Sequence, residues 1–287
     1  MGKSEFHCNE LIRILTLKQL TPLFQPIATL ADGTVLGYEA LIRGPSDSPL
    51  HSPALLFKTA QTFGLLDKLE LLCRKISISA FAKQKTDGLL FLNVNPLLLL
   101  TSDHPSGLTK SFIQEAGLDP DKIVIELSEQ FQVEDTSLLV NAVKHYRDFG
   151  FKIAIDDLGT GFSGLKLWSE LQPDIVKIDR YFIDQLHRDP IKKAFVKNII
   201  EIAKNTKSKV VAEGIETADE LLTCWELGAD YAQGYLLGRP HALFQDSDAG
   251  IPQQIHDIKA SAVDKFDAGA ARNYRPMSDQ AAFLAAS

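Results

Sequence analysis

Glu39, Glu126, Asp156, Asp157 and Glu213 each stand in, or at the end of, a short aliphatic run, and they are far apart in the chain. Acids at such places either cap a following helix, where negative charge is favourable, or converge on one site. Convergence would set like charges against one another and raise their pKa values unless cations relieved the repulsion. Carboxylate oxygens joined by the amide of Asn93 suit hard ions such as Mg2+ or Mn2+, whereas zinc prefers His and Cys. Lys177, inside Ile175-Val176-Lys177-Ile178, puts an ammonium where it is costly without a partner. It is either a buried structural ion pair or a catalytic group. Beside metal-bound carboxylates it would position an attacking water and stabilise a pentacoordinate phosphorus.

In Asp156-Asp157-Leu158-Gly159-Thr160-Gly161-Phe162-Ser163-Gly164, two adjacent acids enter a loop with three glycines. Successive strand residues point to opposite faces, so both acids reach one metal pair only after the strand has ended, and glycines permit that turn. A phosphate-cradling loop is the rival reading, but two leading aspartates would oppose a bare phosphate. Cys8, Cys73 and Cys224 are widely separated, and the seven histidines form no H-x-x-H or H-E-x-x-H pair, so neither a disulfide framework nor a zinc site is expected. Acidic residues exceed basic ones, 37 against 30. That balance speaks against a surface built for a nucleic-acid polymer. Apolar runs such as Leu97-Leu98-Leu99-Leu100 are far short of a membrane span, and the N-terminus lacks the apolar core of a signal peptide, so a cytoplasmic location is expected.

Eight strand-like runs position these residues: Pro22 to Ala28, Thr34 to Arg43, Leu89 to Val94, Lys122 to Leu127, Phe151 to Asp156, Asp174 to Ile178, Ser208 to Glu213 and Asp230 to Tyr235. Asp32-Gly33 between the first two is a hairpin signal, so that pair is antiparallel. The later runs alternate with helical segments. Asp189-Pro190 starts one whose Ile191, Phe195, Ile199 and Ile202 line one face. Thr217 with Glu220 reads as a capping box, and Gly228, Gly150 and Gly64 read as stops. Alternating strands and helices favour an α/β fold, an irregular TIM-like (β/α)8 barrel with one strand antiparallel. Strand C-termini share one rim in such a barrel, and there Asn93, Glu126, Asp156, Asp157, Lys177, Glu213 and Gln233 would meet. The composition changes near residue 251, so residues 1–250 read as the domain. Residues 251–287, with a weak stripe at Ile255, Ile258, Ala262 and Phe266, read as a tail or the start of a linker.

Together these motifs resemble the EAL family of cyclic di-GMP phosphodiesterases, through Glu39-Ala40-Leu41-Ile42-Arg43, Phe24-Gln25-Pro26-Ile27, Asn93-Val94-Asn95-Pro96, Glu126-Leu127-Ser128-Glu129, the Asp156 loop, Lys177-Ile178-Asp179, Val211-Ala212-Glu213-Gly214-Ile215-Glu216-Thr217 and Gln233-Gly234-Tyr235. The resemblance spans roughly residues 20 to 240 in family order. It implies that Glu39, Asn93, Glu126 and Asp156 hold one metal and Asp156, Asp157 and Glu213 the other. It implies that Lys177 positions the water, that Arg43 meets the substrate phosphate, and that Gln25, Leu41, Asp179, Gln233 and Pro240 border the nucleotide. Glu129 would anchor the loop after Asp157, with Glu216 as its companion. Leu158, Ser128, Asn95 and Gln61 depart from residues common in the family, and none is a matched ligand. The implied reaction is hydrolysis of cyclic di-GMP to pGpG with two divalent cations, Mg2+ or Mn2+, and Ca2+ as a poor substitute. Also implied are a homodimer and a fused or partner regulatory domain. A receptor that binds without hydrolysing, or an enzyme for another phosphodiester, stays open at this point.

Overall fold

The structure, a computed structural model, describes residues 3–99, 107–129, 136–159, 164–242 and 246–261. Residues 160–163 of the glycine loop, Leu100, and Ala262, Phe266 and the rest of the C-terminal tail lie outside the described residues. In chain order the elements are α1 (Lys3–Leu17), β1 (Thr21–Thr29), β2 (Val35–Arg43), α2 (Pro53–Thr62), α3 (Leu66–Ala82), β3 (Leu89–Asn93), α4 (Pro96–Leu99), α5 (Leu108–Ala116), β4 (Ile123–Ser128) and α6 (Thr136–Asp148). They continue with β5 (Lys152–Leu158), α7 (Gly164–Leu171), β6 (Ile175–Ile178), α8 (Arg180–Ile183), α9 (Pro190–Thr206), β7 (Lys209–Ala212), α10 (Ala218–Leu227) and β8 (Tyr231–Gln233), and a final helix covers 251–261.

All eight expected strands form, and they close into a barrel in sequence order. The reversed strand is β1, antiparallel to both β2 and β8, while β2 through β8 run parallel. The turn at Asp32-Gly33 is closed by Thr29 N–H donating to Thr34 O at 2.8 Å, with Gly33 at φ 78°. A Cβ at Gly37 would sit 2.2 Å from Leu89 O, so only glycine lets β2 approach β3 there.

The helices bury their apolar faces against the outside of the barrel in one large cluster that includes Leu92, Ile125, Ile155, Ile178, Ile200 and Leu221. A second cluster joins Leu11 and Ile14 of α1 to Ile42, Leu56 of α2 and Leu69 of α3. The capping box at Thr217 and Glu220 and the left-handed stop at Gly228 are present. Asp189 caps α9 as expected, accepting from Ile191 and Lys192 N–H. The expected stripe of α9 does not face the core, however: Ile191, Phe195 and Ile202 are exposed, and Val196, Ile199, Ile200 and Ala203 are the buried set. Packing also runs past residue 250. Ile251 and Ile255 of the final helix are buried in the main cluster, and Lys259 Nζ donates to Leu30 O and Ala31 O at the hairpin.

Candidate active site

Period-two alternation builds the site. Ile27, Phe91, Val124, Ala154, Ile175 and Val211 form an apolar layer inside the barrel. Two residues further along five strands, on the same face, stand Asn93, Glu126, Asp156, Lys177 and Glu213. Gln233 follows Tyr231 by the same step, and on the reversed β1 the step runs backward from Ile27 to Gln25. Glu39 pairs in register with Gln25 on one side and Phe91 on the other. The apolar layer closes the barrel below, and the polar layer above it is the mouth.

Lys177, fully buried, lies at the centre of that layer. Its Nζ is 2.7 Å from Glu126 Oε1, 2.7 Å from Glu213 Oε1, 3.0 Å from Asp156 Oδ1 and 3.1 Å from Glu39 Oε2. Glu39 is further fixed by Asn93 Nδ2, which donates to Oε1 at 2.9 Å, and by Gln233 Nε2, which donates to Oε2 at 2.8 Å. Gln233 Nε2 also approaches Gln25 Oε1 at 3.2 Å, and Gln25 Nε2 donates to Gly238 O.

The paired aspartates correct one expectation. β5 does not end at Asp156; it continues to Leu158, and its register with β6 shifts between Ile155 and Leu158. Asp157 adopts φ 56° within this irregularity. The left-handed residue breaks the alternation, so both carboxylates serve the mouth without the strand having ended. Ser128 Oγ donates to Asp157 Oδ2 at 3.3 Å. Beyond it, Gly159 N–H donates to Glu129 Oε1 at 2.8 Å, and Glu129 is buried. Glu129 therefore holds the start of the loop. Glu216 instead forms an ion pair with Arg180 at 2.9 Å.

Asp156, Asp157 and Glu213 each offer an oxygen within 4.8 Å of the others. Burial raises Glu213 well above the usual carboxylate range despite Lys177, and raises Asp156 in the same way. Glu126 is likewise driven well up, by burial and then by the charge of Glu39. Asp157 rises to about 6 through burial and the charge of Asp156. For Glu39 burial is outweighed by Lys177 and by the Gln233 and Asn93 hydrogen bonds, so its pKa is lowered. Burial opposes the charge on Lys177, but its four carboxylate neighbours outweigh burial and raise its pKa. One ammonium is too little positive charge for these acids. An all-oxygen set raised by its own crowding fits divalent cations of the hard class.

A cavity of about 230 Å3 at the mouth is lined by Gln25, Glu39, Leu41, Asp179, Glu213 and Gln233 among others, which brings these expected residues together. Asp179 also caps α8, accepting from Tyr181 N–H at 2.8 Å. Arg43 lies at the end of β2 beside a neighbouring cavity, and its Nη1 donates to Ile42 O. Pro240 is outside the lining of both and precedes His241, which bridges to Phe24 of β1. Sequence reasoning did not pick out Arg180 or Tyr235, which also line the mouth. Each directly follows a recognised motif, at Asp179 and Gly234, and that adjacency was the available signal.

A family model described as EAL domain matches residues 9–240. The chain is 34% identical over 220 residues to a probable cyclic di-GMP phosphodiesterase, PdeB of Escherichia coli K12, which covers 75% of this chain and 42% of PdeB. It thus spans less than half of that relative's length. Among solved structures it is similar to the EAL enzyme Bd1971 in a cAMP- and cyclic-di-GMP-bound form, with TM-score 0.75 and 27% identity over 88% of this chain and 69% of that one. It is also similar to BlrP1 of Klebsiella pneumoniae in a manganese and cyclic di-GMP complex, with TM-score 0.71 and 29% identity over 78% of this chain and 56% of that one. A calcium complex of BlrP1 matches equally. The matched span runs from α1 through all eight strands and contains every carboxylate of the mouth, and on that ground the chain belongs to the EAL domain family.

Proposed function

We propose that this chain hydrolyses cyclic di-GMP to linear pGpG with two divalent cations, Mg2+ or Mn2+, and so lowers the level of a bacterial second messenger. The observation that carries the reading is the convergence of Glu39, Glu126, Asp156 and Glu213 on Lys177, with Asp157 beside them. The names of PdeB and of the nucleotide-bound Bd1971 and BlrP1 structures support the substrate class.

Glu39, Asn93, Glu126 and Asp156 would hold one cation, and Asp156, Asp157 and Glu213 the other. When bound, the cations supply a water of lowered pKa and neutralise the phosphate. Lys177 keeps its proton among its carboxylates, so Nζ donates a hydrogen bond and is not the base that takes up the water's proton. It orients the nucleophile and stabilises charge as phosphorus becomes pentacoordinate. Arg43 meets a phosphate oxygen, while Gln25, Leu41, Asp179 and Gln233 wall the nucleotide and Pro240 borders it. Glu129 positions Asp157 through Gly159. The water oxygen joins phosphorus as the bond to the 3′ oxygen opens. A proton ends on that oxygen, leaving a 5′-phosphate on the linear product.

We further propose a cytoplasmic homodimer, with its contact near the loop after the paired aspartates and a fused or partner regulatory domain as input. Neither a membrane nor a nucleic-acid polymer is a partner in this reading. Among the described residues, no helix is long and apolar enough to cross a membrane. The test is chromatography of products from wild type and Glu39→Ala during titration with Mg2+, Mn2+ and Ca2+. Formation of pGpG is expected in Mg2+ or Mn2+, with little in Ca2+ or in the variant. Cyclic di-GMP that binds but is never cleaved would make the protein a receptor instead.

A further inference from the structure

A cavity of about 260 Å3 adjoins the carboxylate cluster on the β2–β3 side. Its rim is shared with the active site: Leu41 and Arg43 come from β2, and Asn93 is the residue whose amide bonds Glu39. Its inner wall carries Glu70 and Arg74, one turn apart on α3, with Ser77 and Asn95, all of them buried. The mechanism above uses none of these four. The volume is below the roughly 300–1,000 Å3 of pockets that enclose a whole drug-sized ligand, so it suits one base rather than a dinucleotide.

A purely structural ion pair between Glu70 and Arg74 is the plain alternative. Such a pair should leave Glu70 comfortably ionised. Instead, burial drives its carboxyl up to about 7, against the opposing pull of Arg74 and of Asn95 N–H, which donates to Oε2 at 3.3 Å. The carboxylate is short of donors at the edge of a cavity. Arg74 Nη1 donates to Thr109 Oγ1 at 2.8 Å, which fixes the guanidinium beside it. A ligand that satisfies this wall presents two adjacent N–H donors to the carboxylate and acceptors toward the cationic side. Guanine has that pattern, with N1–H and the 2-amino group next to O6 and N7. Adenine would turn the lone pair of N1 toward the carboxylate.

We infer that this cavity receives one guanine of the dinucleotide, with Glu70 accepting from the N1–H and 2-amino edge and Arg74 on the O6 side. Glu70 is then the residue that separates guanine from adenine. The inference rests on the cyclic di-GMP reading of the site.

Isothermal titration of cyclic di-GMP and cyclic di-AMP into wild type and Glu70→Gln tests it, with hydrolysis followed in parallel. Wild type should prefer the guanine ligand. Glu70→Gln should weaken cyclic di-GMP about ten- to a hundredfold, the range of a lost bidentate base contact, and cyclic di-AMP much less, so the preference narrows. An equal loss for both ligands, or no loss for either, overturns the assignment. Should Glu70→Gln fail to fold, Ser77→Met, which fills the same cavity, should weaken cyclic di-GMP at least tenfold, and unchanged affinity overturns the inference. A wild type that binds with guanine preference but cleaves nothing removes the enzymatic reading and leaves the pocket. Cleavage of cyclic di-GMP with selectivity untouched in Glu70→Gln removes the pocket and leaves the enzyme, and wild type that binds neither ligand overturns both.

Discussion

Lys177→Met removes the one ammonium that faces Glu39, Glu126, Asp156 and Glu213 at 2.7–3.1 Å. Methionine keeps an unbranched, nearly isosteric stem, so the perturbation is electrostatic. Deleting one partner of a buried ion pair costs about 3–5 kcal/mol, because the remaining charge is left uncompensated. For a chain of this size each kcal/mol moves the melting temperature by about 2–4 °C, so a fall of about 6–20 °C is expected without divalent ions. The assay is thermal unfolding by circular dichroism at neutral pH in EDTA, repeated in millimolar Mg2+. Added Mg2+ should narrow the gap, since a bound cation supplies the positive charge the variant lacks. Equal melting temperatures in EDTA, or a gap that Mg2+ leaves unchanged, would refute the picture of Lys177 as the charge that holds this cluster together.

Glu70 gives a pH dependence of defined sign. Its folded value of about 7 lies above the unfolded 4.5, so the folded state binds the proton more tightly. Stability from this group is therefore fully present below pH 4.5 and falls by about 3 kcal/mol as pH rises to 7; urea denaturation of wild type against Glu70→Gln at pH 5 and pH 8 should show the variant losing less. Asp157 at φ 56° predicts that Asp157→Val loses about 1–2 kcal/mol in the same assay, while Asp157→Asn, which tolerates a left-handed backbone, stays near wild type but loses turnover. Gly159 has φ +105°, and a Cβ there would lie 2.1 Å from Phe182 Cε2, so Gly159→Ala should destabilise by about 1–3 kcal/mol and lower turnover by displacing the segment that Glu129 holds.

Much of this molecule could be read from its sequence because the barrel enforces a period of two. Each inward apolar residue, such as Val124 or Ile175, announces the polar residue two places on, and the ends of separate strands must then meet. Which strand ran backward was not legible, since Asp32-Gly33 predicts a hairpin without saying which arm joins the parallel set. The turn of Asp157 was hidden for a related reason: a register shift within β5 depends on its neighbour β6. In α9 two apolar sets coexist at helical spacing, and only tertiary packing selects Val196 and Ile200 over Ile191 and Phe195. α1 was not anticipated because few of its side chains are deeply buried, Leu11 and Ile14 among them, and the rest of its sequence is mixed. Glu70 and Arg74 look like ordinary surface charges on α3 until the fold buries them.

The reversal of β1 also makes the two extremities of the packed chain mechanically unlike. Thr21, three residues beyond the end of α1's last turn, lies opposite Arg43, so a pull on the first helix is delivered at the catalytic lip and through Ile42 to the packing beneath it. A pull on the helix over 251–261 is delivered instead to the hairpin near Leu30, on the far side of the apolar layer from the carboxylates. Force arriving upstream reaches the chemistry directly, whereas force arriving downstream is absorbed by the barrel's base.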